Sequence, residues 1–472
     1  MDAAGNFALA AGPSATFVVD NTAPTLSIGA PSTSLTNAGP VTYTVTYTGA
    51  DSILLAPGLV TLNATGTASG TINVLGSGTG SRTIEISGIT GDGTLGISIS
   101  AGSASDLAGN LSIAAGPSAT FTVDNTGPAI SIGAPSVSVT RSGPVTYSVT
   151  YTDATTISLS NADIIVSNTG SATGTATVSG SGSTRTVTFS GISGDGTLGF
   201  TIVSGTATDA AGNPALAAGP SATFTVDNTP PAISIGAPSA SVTNSGPVSY
   251  IITYTGASSI SLSPGDITLN ATGSAAGSVS VTGSGSAART VTISGVTGDG
   301  TLGISIGANT AVDAAGNSAL AAGPSATFDV DNTAPTISIG APSSSLTSTG
   351  PVTFTVTYGG ASTVTLSPGD ITLNATGSAA GAVSVSGLGT GSRIVTISSI
   401  TGNGTLGISI AANTASDLAG NPAPAAGPSA TFDVSNALPS VSIGAPSVSA
   451  TRNGPVSFTL TFANCADRKS VV

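Results

Sequence analysis

The chain of 472 residues repeats itself about every 104 positions. Asp-Asn-Thr begins at Asp20, Asp124, Asp227 and Asp331, and a degenerate copy, Ser-Asn-Ala, begins at Ser435. This period is too long for one solenoid coil, whose repeats run about 20–50 residues, and suits a whole small domain. The repeat predicts four complete modules, 21–124, 125–227, 228–331 and 332–435. They are flanked by the C-terminal end of a truncated module, 1–20, and the start of another, 436–465.

Each module has the pattern of short β-strands. Residues 41–47 alternate apolar and hydroxyl-bearing side chains with the period of two that is typical of a half-buried strand. No segment shows a convincing helical period. Seven strands in about 100 residues indicate an all-β, antiparallel sandwich. The seven predicted strands of the first complete module lie within 26–28, 41–47, 60–62, 72–74, 84–86, 95–99 and 119–123.

Charge and missing residue types exclude several functions. The net charge of −13, from 21 acidic and 8 basic residues, argues against binding to nucleic acid or to an anionic membrane. The sequence has no His, and its only Lys and Cys are Lys469 and Cys465 in the terminal tail. The repeats therefore lack a His base, a Cys nucleophile and zinc-binding thiolates or imidazoles. We expect a protein that is not an enzyme.

Two motifs that recur at a constant spacing in this chain resemble those of a known protein family. The run Ala-Thr-Phe-Thr-Val-Asp-Asn-Thr-Pro-Pro at 222–231, preceded by Asp-Ala-Ala-Gly-Asn at 209–213, resembles the tandem bacterial Ig-like repeats of giant surface adhesins and biofilm-associated proteins. The resemblance covers almost the whole chain, although the Cys pair and Trp of true immunoglobulin domains are absent. It implies tandem seven-stranded Ig-like antiparallel β-sandwiches arranged as an elongated rod. It also implies an extracellular or cell-surface protein.

The end of the chain departs from this composition. Residues 466–472, Ala-Asp-Arg-Lys-Ser-Val-Val, can be back-translated into a common sequencing adapter. We expect this tail to be non-native and the chain to be a segment of a longer protein, with its signal and anchor outside the segment.

Acidic and amide side chains cluster in loops that a sandwich would bring to the junction between modules. In the second module these are the linker Asp124-Asn125, the loop Asp209–Asn213 and Asp163, and the turn at Asp92 of the preceding module faces them. Ca²⁺ requires six to eight such oxygen ligands, and the resemblance implies calcium at junctions of this kind. The hypothesis is one structural Ca²⁺ per junction. The candidate ligands, junction by junction, are Asp20, Asn21, Asp106 and Asn110; Asp124, Asn125, Asp209 and Asn213; Asp227, Asn228, Asp313 and Asn317; Asp331, Asn332, Asp417 and Asn421.

The alternative is that Asp-x-x-Gly-Asn is only a turn motif. Asp forms Asx-turns, and Gly and Asn accept the left-handed conformation. Two substitutions favour this alternative, because Leu59 replaces the Asp163 equivalent in the first module and Ser435 replaces the linker aspartate in the last. The sequence leaves both interpretations open.

The linkers suggest a mechanical function. Asp-Asn-Thr-x-Pro is short and ends at a proline, which restricts the preceding residue to extended conformations. We expect a monomeric, semi-rigid stalk that presents a distal binding domain to a surface or matrix ligand. Three alternatives remain: modules that bind glycans or ice through threonine rows such as Thr42, Thr44 and Thr46, an accessory region of an exported hydrolase, and a single β-solenoid, which the long period disfavours.

Overall fold

The computed structural model describes residues 1–464, so Cys465 and the tail predicted at 466–472 lie outside the described residues. The chain forms two compact units, Met1–Thr229 and Pro230–Val472, which are described separately. No helix long and apolar enough to cross a bilayer occurs in the described range.

The first unit contains two sandwiches that follow the same order of elements. Residues 1–20 precede them and are exposed. The first sandwich consists of β1 (Thr25–Ile28), β2 (Leu35–Thr36), β3 (Val41–Thr48), β4 (Ser52–Ile53), the 3-10 turn η1 (Pro57–Leu59), β5 (Val60–Ala64), β6 (Ser69–Leu75), β7 (Ser81–Thr90), β8 (Gly93–Ile99), β9 (Ala104–Ser105) and β10 (Phe121–Val123). The second consists of β11 (Ala129–Ile132), β12 (Val139–Thr140), β13 (Val145–Thr152), β14 (Thr156–Ile157), η2 (Asn161–Asp163), β15 (Ile164–Asn168), β16 (Thr173–Ser179), β17 (Thr184–Ser193), β18 (Gly196–Ile202), β19 (Ala207–Thr208) and β20 (Phe224–Val226).

The second unit repeats this order twice and ends in a hairpin. Its first sandwich consists of β21 (Ala232–Ile235), β22 (Val242–Thr243), β23 (Val248–Thr255), β24 (Ser259–Ile260), η3 (Pro264–Asp266), β25 (Ile267–Ala271), β26 (Ala276–Thr282), β27 (Ala288–Thr297), β28 (Gly300–Ile306), β29 (Ala311–Val312) and β30 (Phe328–Val330). Its second consists of β31 (Thr336–Ile339), β32 (Leu346–Thr347), β33 (Val352–Gly359), β34 (Thr363–Val364), η4 (Pro368–Asp370), β35 (Ile371–Ala375), β36 (Ala380–Ser386), β37 (Ser392–Thr401), β38 (Gly404–Ile410), β39 (Ala415–Ser416) and β40 (Phe432–Val434). The exposed hairpin pairs β41 (Ser440–Pro446) with β42 (Phe458–Ala463).

Each sandwich has two four-stranded sheets. In the first, the strand orders are β1-β3-β7-β6 and β2-β10-β8-β5, with β4 and β9 forming a small separate pair. All pairings are antiparallel except that of the two-residue strand β2 with β10, which is parallel. This is the strand arrangement of an immunoglobulin-like sandwich. The predicted all-β class and tandem Ig-like sandwiches are confirmed. The sequence did not predict β2, β4 and β9, because two-residue strands are too short to show a period.

Strand β3 shows why the sequence selects this fold. Val41, Tyr43, Val45 and Tyr47 are buried, whereas the threonines between them face outward. Because side chains of a strand alternate between faces, one side of β3 enters the core and the other faces solvent. The two tyrosines thus belong to the core, and the hydroxyl of Tyr43 donates to the carbonyl oxygen of Ala119 at 2.8 Å. Equivalent residues build a separate core in every sandwich.

The turn between β7 and β8 positions the first part of the candidate site. Gly91 and Gly93 have φ values of +78° and +148°, which residues with a side chain rarely adopt. A Cβ on either glycine would run into the carbonyl oxygen of Thr67 or Thr65. The two glycines therefore let the turn lie directly against the loop between β5 and β6, and Asp92 projects from its tip toward the linker.

Candidate functional site

The junction inside the first unit begins at the carboxylate of Asp92. Its Oδ1 accepts a hydrogen bond from the main-chain N–H of Asn125 at 2.6 Å, and its Oδ2 accepts one from the hydroxyl of Thr126 at 2.9 Å. The side-chain amide of Asn125 donates to the carbonyl oxygen of Gly91 at 2.8 Å. Three bonds therefore attach the linker to the module that precedes it.

The loop between β19 and β20 attaches the same linker to the module that follows. The side-chain amide of Asn213 donates to the carbonyl oxygen of Asp124 at 2.7 Å. It also donates to Oδ2 of Asp209 at 2.8 Å, and the main-chain N–H of Asn213 donates to Oδ1 of Asp209 at the same distance. Asp209 and Asn213 are only 6% and 7% exposed. The pair forms a buried clamp on the backbone of the linker.

A residue of the preceding module completes the clamp. The side-chain amide of Asn37, which follows β2, donates to Oδ1 of Asn213 at 3.2 Å. No pattern in the sequence predicted that Asn37 belongs to the junction. The one available signal is that Asn244 occupies the same place before Gly-Pro in the third module, whereas Arg141 and Ser348 stand there in the second and fourth.

The junction inside the second unit has the same geometry. The main-chain N–H of Asn332 donates to Oδ1 of Asp299 at 2.6 Å, and its side-chain amide donates to the carbonyl oxygen of Gly298 at 2.6 Å. The side-chain amide of Asn421 donates to the carbonyl oxygen of Asp331 at 2.7 Å and to Asp417 at 2.8 Å. Asn244 donates to Oδ1 of Asn421 at 3.2 Å. The same clamp has thus been built twice from equivalent positions.

Three of the remaining candidate asparagines, Asn110, Asn228 and Asn317, make corresponding bonds within their own units. Asn110 donates to Asp106 and to the carbonyl oxygen of Asp20, at 2.8 and 2.9 Å, and this loop is half-buried. The main-chain N–H of Asn228 donates to Asp195 at 2.7 Å. Asn317 donates to both carboxylate oxygens of Asp313 at 2.8 Å. The exposed Asn21 lies directly after Asp20, whose Oδ1 accepts from the N–H of Thr22 at 2.9 Å.

Hydrogen bonding sets the ionisation of the loop aspartates. Burial acts to raise the pKa of Asp209, but the bonds from the side chain and main chain of Asn213 outweigh it and hold the pKa below its ordinary value of 3.8. Asp313 has a lowered pKa for the same combination of reasons. For Asp106, the side-chain bond from Asn110 is the main cause of a lowered pKa. These carboxylates are therefore negatively charged at neutral pH.

The candidate calcium ligands take part in hydrogen bonds with their neighbours. Asp124 uses its carboxylate locally, where Oδ1 accepts from the N–H of Thr126 at 3.1 Å, and it turns its carbonyl oxygen to an amide donor. Each carboxylate oxygen of Asp209 accepts one hydrogen bond from Asn213. Nowhere in residues 1–464 do three acidic, His or Cys side chains converge as a metal-binding group. The calcium hypothesis stays a prediction, and the hydrogen bonds account for the same residues without a cation.

Asp163 ends the 3-10 turn η2, directly before β15, and its carboxylate caps this turn. Its Oδ2 accepts from the N–H and hydroxyl of Ser160, at 2.8 and 2.7 Å, and so caps the 3-10 turn η2. Asp266 and Asp370 do the same in η3 and η4. The carboxylate of Asp163 thus bonds within its own turn, whereas its main-chain carbonyl oxygen accepts from the N–H of Val203 at 3.2 Å, at the start of the loop that holds Asp209–Asn213. The carboxylate of Asp92 reaches the linker, as expected.

The comparisons with known proteins return only distant similarities. No family model matches the chain, and no curated protein matches it. An I-band fragment of titin is 12% identical with a TM-score of 0.24, covering 66% of this chain and 98% of the fragment. A second titin tandem is 10% identical with a TM-score of 0.25, covering 62% and 97%. The N-terminal eight Ig domains of Down syndrome cell adhesion molecule are 14% identical with a TM-score of 0.20, covering 87% and 54%. The Ig-like assignment rests on the sheet order described above.

Proposed function

We propose that the chain is a structural stalk segment of a large secreted or cell-surface repeat protein of the adhesin or biofilm type. In this function the modules are spacers that hold a distal binding domain away from the surface. Two features support the proposal. The sandwiches are Ig-like and follow one another in tandem, and the short linkers are hydrogen-bonded both to the preceding and to the following module.

The observation that carries the proposal is the double attachment of residues 124–126. Asn125 and Thr126 are bonded to the turn of the preceding module, and the carbonyl oxygen of Asp124 is bonded to Asn213 of the following one. A net contribution of about 0.5–1.5 kcal/mol for each hydrogen bond makes bending at this point costly. A Gly/Ser-rich linker has no such bonds and behaves as a random coil.

The distribution of charge also suits a stalk. The aspartates lie mostly in turns, 3-10 caps and linkers, and the chain carries a net charge of −13. A large net charge keeps proteins soluble at high local density. Stalks crowded on a surface would need this property.

A display experiment tests the stalk function. A small binding domain is presented on a cell covered by a thick polysaccharide layer, attached through this chain or through an equally long Gly/Ser-rich linker. The proposal predicts that ligand-coated beads are captured through this chain and much less through the flexible linker. Equal capture by both would contradict the proposal. Binding of soluble ligand is the control for expression, because this ligand reaches both displayed domains equally.

A further inference from the structure

One peptide group of the linker in the first unit is hydrogen-bonded to both neighbouring modules. The carbonyl oxygen between Asp124 and Asn125 accepts from Asn213 of the following module at 2.7 Å. The N–H of the same peptide group donates to Asp92 of the preceding module at 2.6 Å. Because a trans peptide directs its C=O and its N–H to opposite sides, the two modules hold this group from opposite edges. We call it the bridging peptide.

The two attachments cross along the chain. Asp124, which lies nearer the preceding module, is held by the following one. Asn125 and Thr126, which lie further along, are held by the preceding one. Tension that separates the modules therefore acts first on the bond between Asp124 and Asn213. The rest of the segment between β10 and β11, residues 125–128, is stretched only after that bond breaks.

The joint is held by fewer and more exposed interactions than either module. Asp92, Asn125 and Thr126 are exposed, so water competes for their hydrogen bonds. A direct side-chain bond between the modules, from Asn37 to Asn213, is 3.2 Å long. Each sandwich, by contrast, has to expose a whole apolar core when it unfolds. Tension should therefore break the joint before it unfolds a module.

The second unit contains an equivalent bridging peptide. The carbonyl oxygen of Asp331 accepts from Asn421 at 2.7 Å, and the N–H of Asn332 donates to Asp299 at 2.6 Å. Both units thus place one peptide group of the linker between a turn of the preceding module and a loop of the following one. The arrangement belongs to the repeat and not to a single linker.

We infer that these joints lengthen reversibly under tension and thereby protect the modules from unfolding. Breaking the bond to Asn213 lets the modules separate, and release from Asp92 then frees the whole segment 124–128. Because an extended chain spans at most about 3.3–3.6 Å per residue, one joint can gain no more than about 20 Å. The freed segment is short, so the bonding groups stay near their partners and the bonds re-form when the tension falls. The inference rests on the proposed stalk function, since a stalk is loaded along its chain.

The test stretches single molecules of the full chain in optical tweezers and records every change in length. The inference predicts short steps, each below about 20 Å, that reverse on relaxation and occur at forces lower than those that unfold the modules. Unfolding of a module is recognised by a much longer step, of about 300 Å or more, because the whole module then becomes extended chain. The number of long steps also shows whether each variant is folded.

Two variants separate the two sides of the bridging peptide. Asn213→Ala removes the attachment to the following module, so one short step should be lost or should shift to a lower force. Asp92→Ala removes the attachment to the preceding module. Its short step should keep its force but become longer, because residues 125 and 126 are no longer held back.

Each variant has a matched control in the same module. Tyr151→Phe also removes a buried hydrogen-bonding group of module 125–227, but one that bonds to Thr206 and not to the linker. Asp51→Ala removes the same charge as Asp92→Ala, from an exposed turn between β3 and β4. Both controls should keep the short steps of the unmodified chain.

Module unfolding without any preceding short step, or short steps that Asn213→Ala leaves unchanged, would overturn the inference. The capture of ligand-coated beads tests the stalk function separately. Short steps without preferential capture would mean joints that lengthen in a chain that is not a stalk. Preferential capture without short steps would mean a stalk whose joints do not lengthen.

Discussion

The side-chain amide of Asn213 donates at 2.7 Å to the carbonyl oxygen of Asp124, a residue 89 positions earlier in the chain. The same amide is bonded to Asp209, and the two side chains are almost completely buried. One side chain thus joins the last residue of one module to a loop near the end of the next.

Replacing Asn213 with alanine should therefore destabilise module 125–227. Asn213→Ala leaves the Asp209 carboxylate without its side-chain donor, which costs about 1–3 kcal/mol for a buried group. Hydrogen exchange measured by mass spectrometry on peptides of this module gives the change in free energy of opening. Asn110→Ala is the matched control, because the equivalent loop of the first module is half-buried and should lose less. Equal losses would contradict the importance of burial at the clamp.

The turn that carries Asp195 should not tolerate a side chain at Gly194. Gly194 has a φ of +81°, and a Cβ there would run into the carbonyl oxygen of Ser171. Gly182, with a φ of +70°, has open space around its Cβ position. Both alanine variants incur about 1–2 kcal/mol for the left-handed backbone, and Gly194→Ala incurs the clash in addition. Proteolytic susceptibility of the module compares the two, and a similar loss of stability in both would show that the turn can move away.

Two buried tyrosines should respond differently to the loss of their hydroxyl groups. Tyr147 donates to the carbonyl oxygen of Ala222, which also accepts from the hydroxyl of Ser221 at 3.0 Å. Tyr147→Phe therefore leaves no acceptor unsatisfied and should cost less than about 1 kcal/mol. The fourth module already has Phe354 at this position.

Tyr151→Phe is the contrasting variant. The hydroxyl of Tyr151 is 2.9 Å from that of Thr206, which is 2% exposed, so its removal takes a partner from a buried polar group and should cost about 1–3 kcal/mol. Chemical denaturation, monitored through hydrogen exchange of peptides from module 125–227, measures the loss of stability in both variants. The reverse order of the two losses would refute this interpretation.

Stability should be nearly constant between about pH 5 and pH 9, because the chain has no His. The pKa of Asp209 in the folded protein is below 3.8, so its stabilising effect is complete above that pH and is lost as the pH falls through the lower value. Burial raises the pKa of Tyr151 above 10.0, so the stability linked to its neutral form is complete below pH 10.0 and is lost as the pH rises further. Thermal melting across the pH range should show losses only at the two extremes. A steep change of the melting temperature near neutral pH would contradict this prediction.

Calcium should not change the melting temperature if the junctions remain as described. The carboxylate oxygens of Asp209 and Asp417 already accept hydrogen bonds from Asn213 and Asn421. Calorimetry of the full chain with Ca²⁺ and then with a chelator gives the answer, and Mg²⁺ at equal ionic strength is the control. A rise specific to Ca²⁺ would support the calcium hypothesis and require the asparagine amides to rotate away.

The sequence predicted those features that follow from alternation and spacing. Residues 41–47 indicated a strand because apolar and hydroxyl-bearing side chains alternate there, and a turn was expected at Asp92. The partners inside the junction were less predictable. Asp124 supplies its main-chain oxygen rather than its carboxylate, and residue identity does not reveal which oxygen a loop will turn inward. Asn37 was missed because its partner lies 176 residues away.

The two halves of the junction lie at opposite ends of every module, and this has a genetic consequence. Module 125–227 carries the receiving turn at Asp195 and the clamping loop at Asp209–Asn213, and module 228–331 carries the same parts at Asp299 and Asp313–Asn317. A cassette of one period can therefore be duplicated or deleted by recombination, and the new neighbours again bring together a turn between two glycines and an Asp–Asn clamping loop. Selection can thus lengthen or shorten the protein in whole steps without having to invent a new joint.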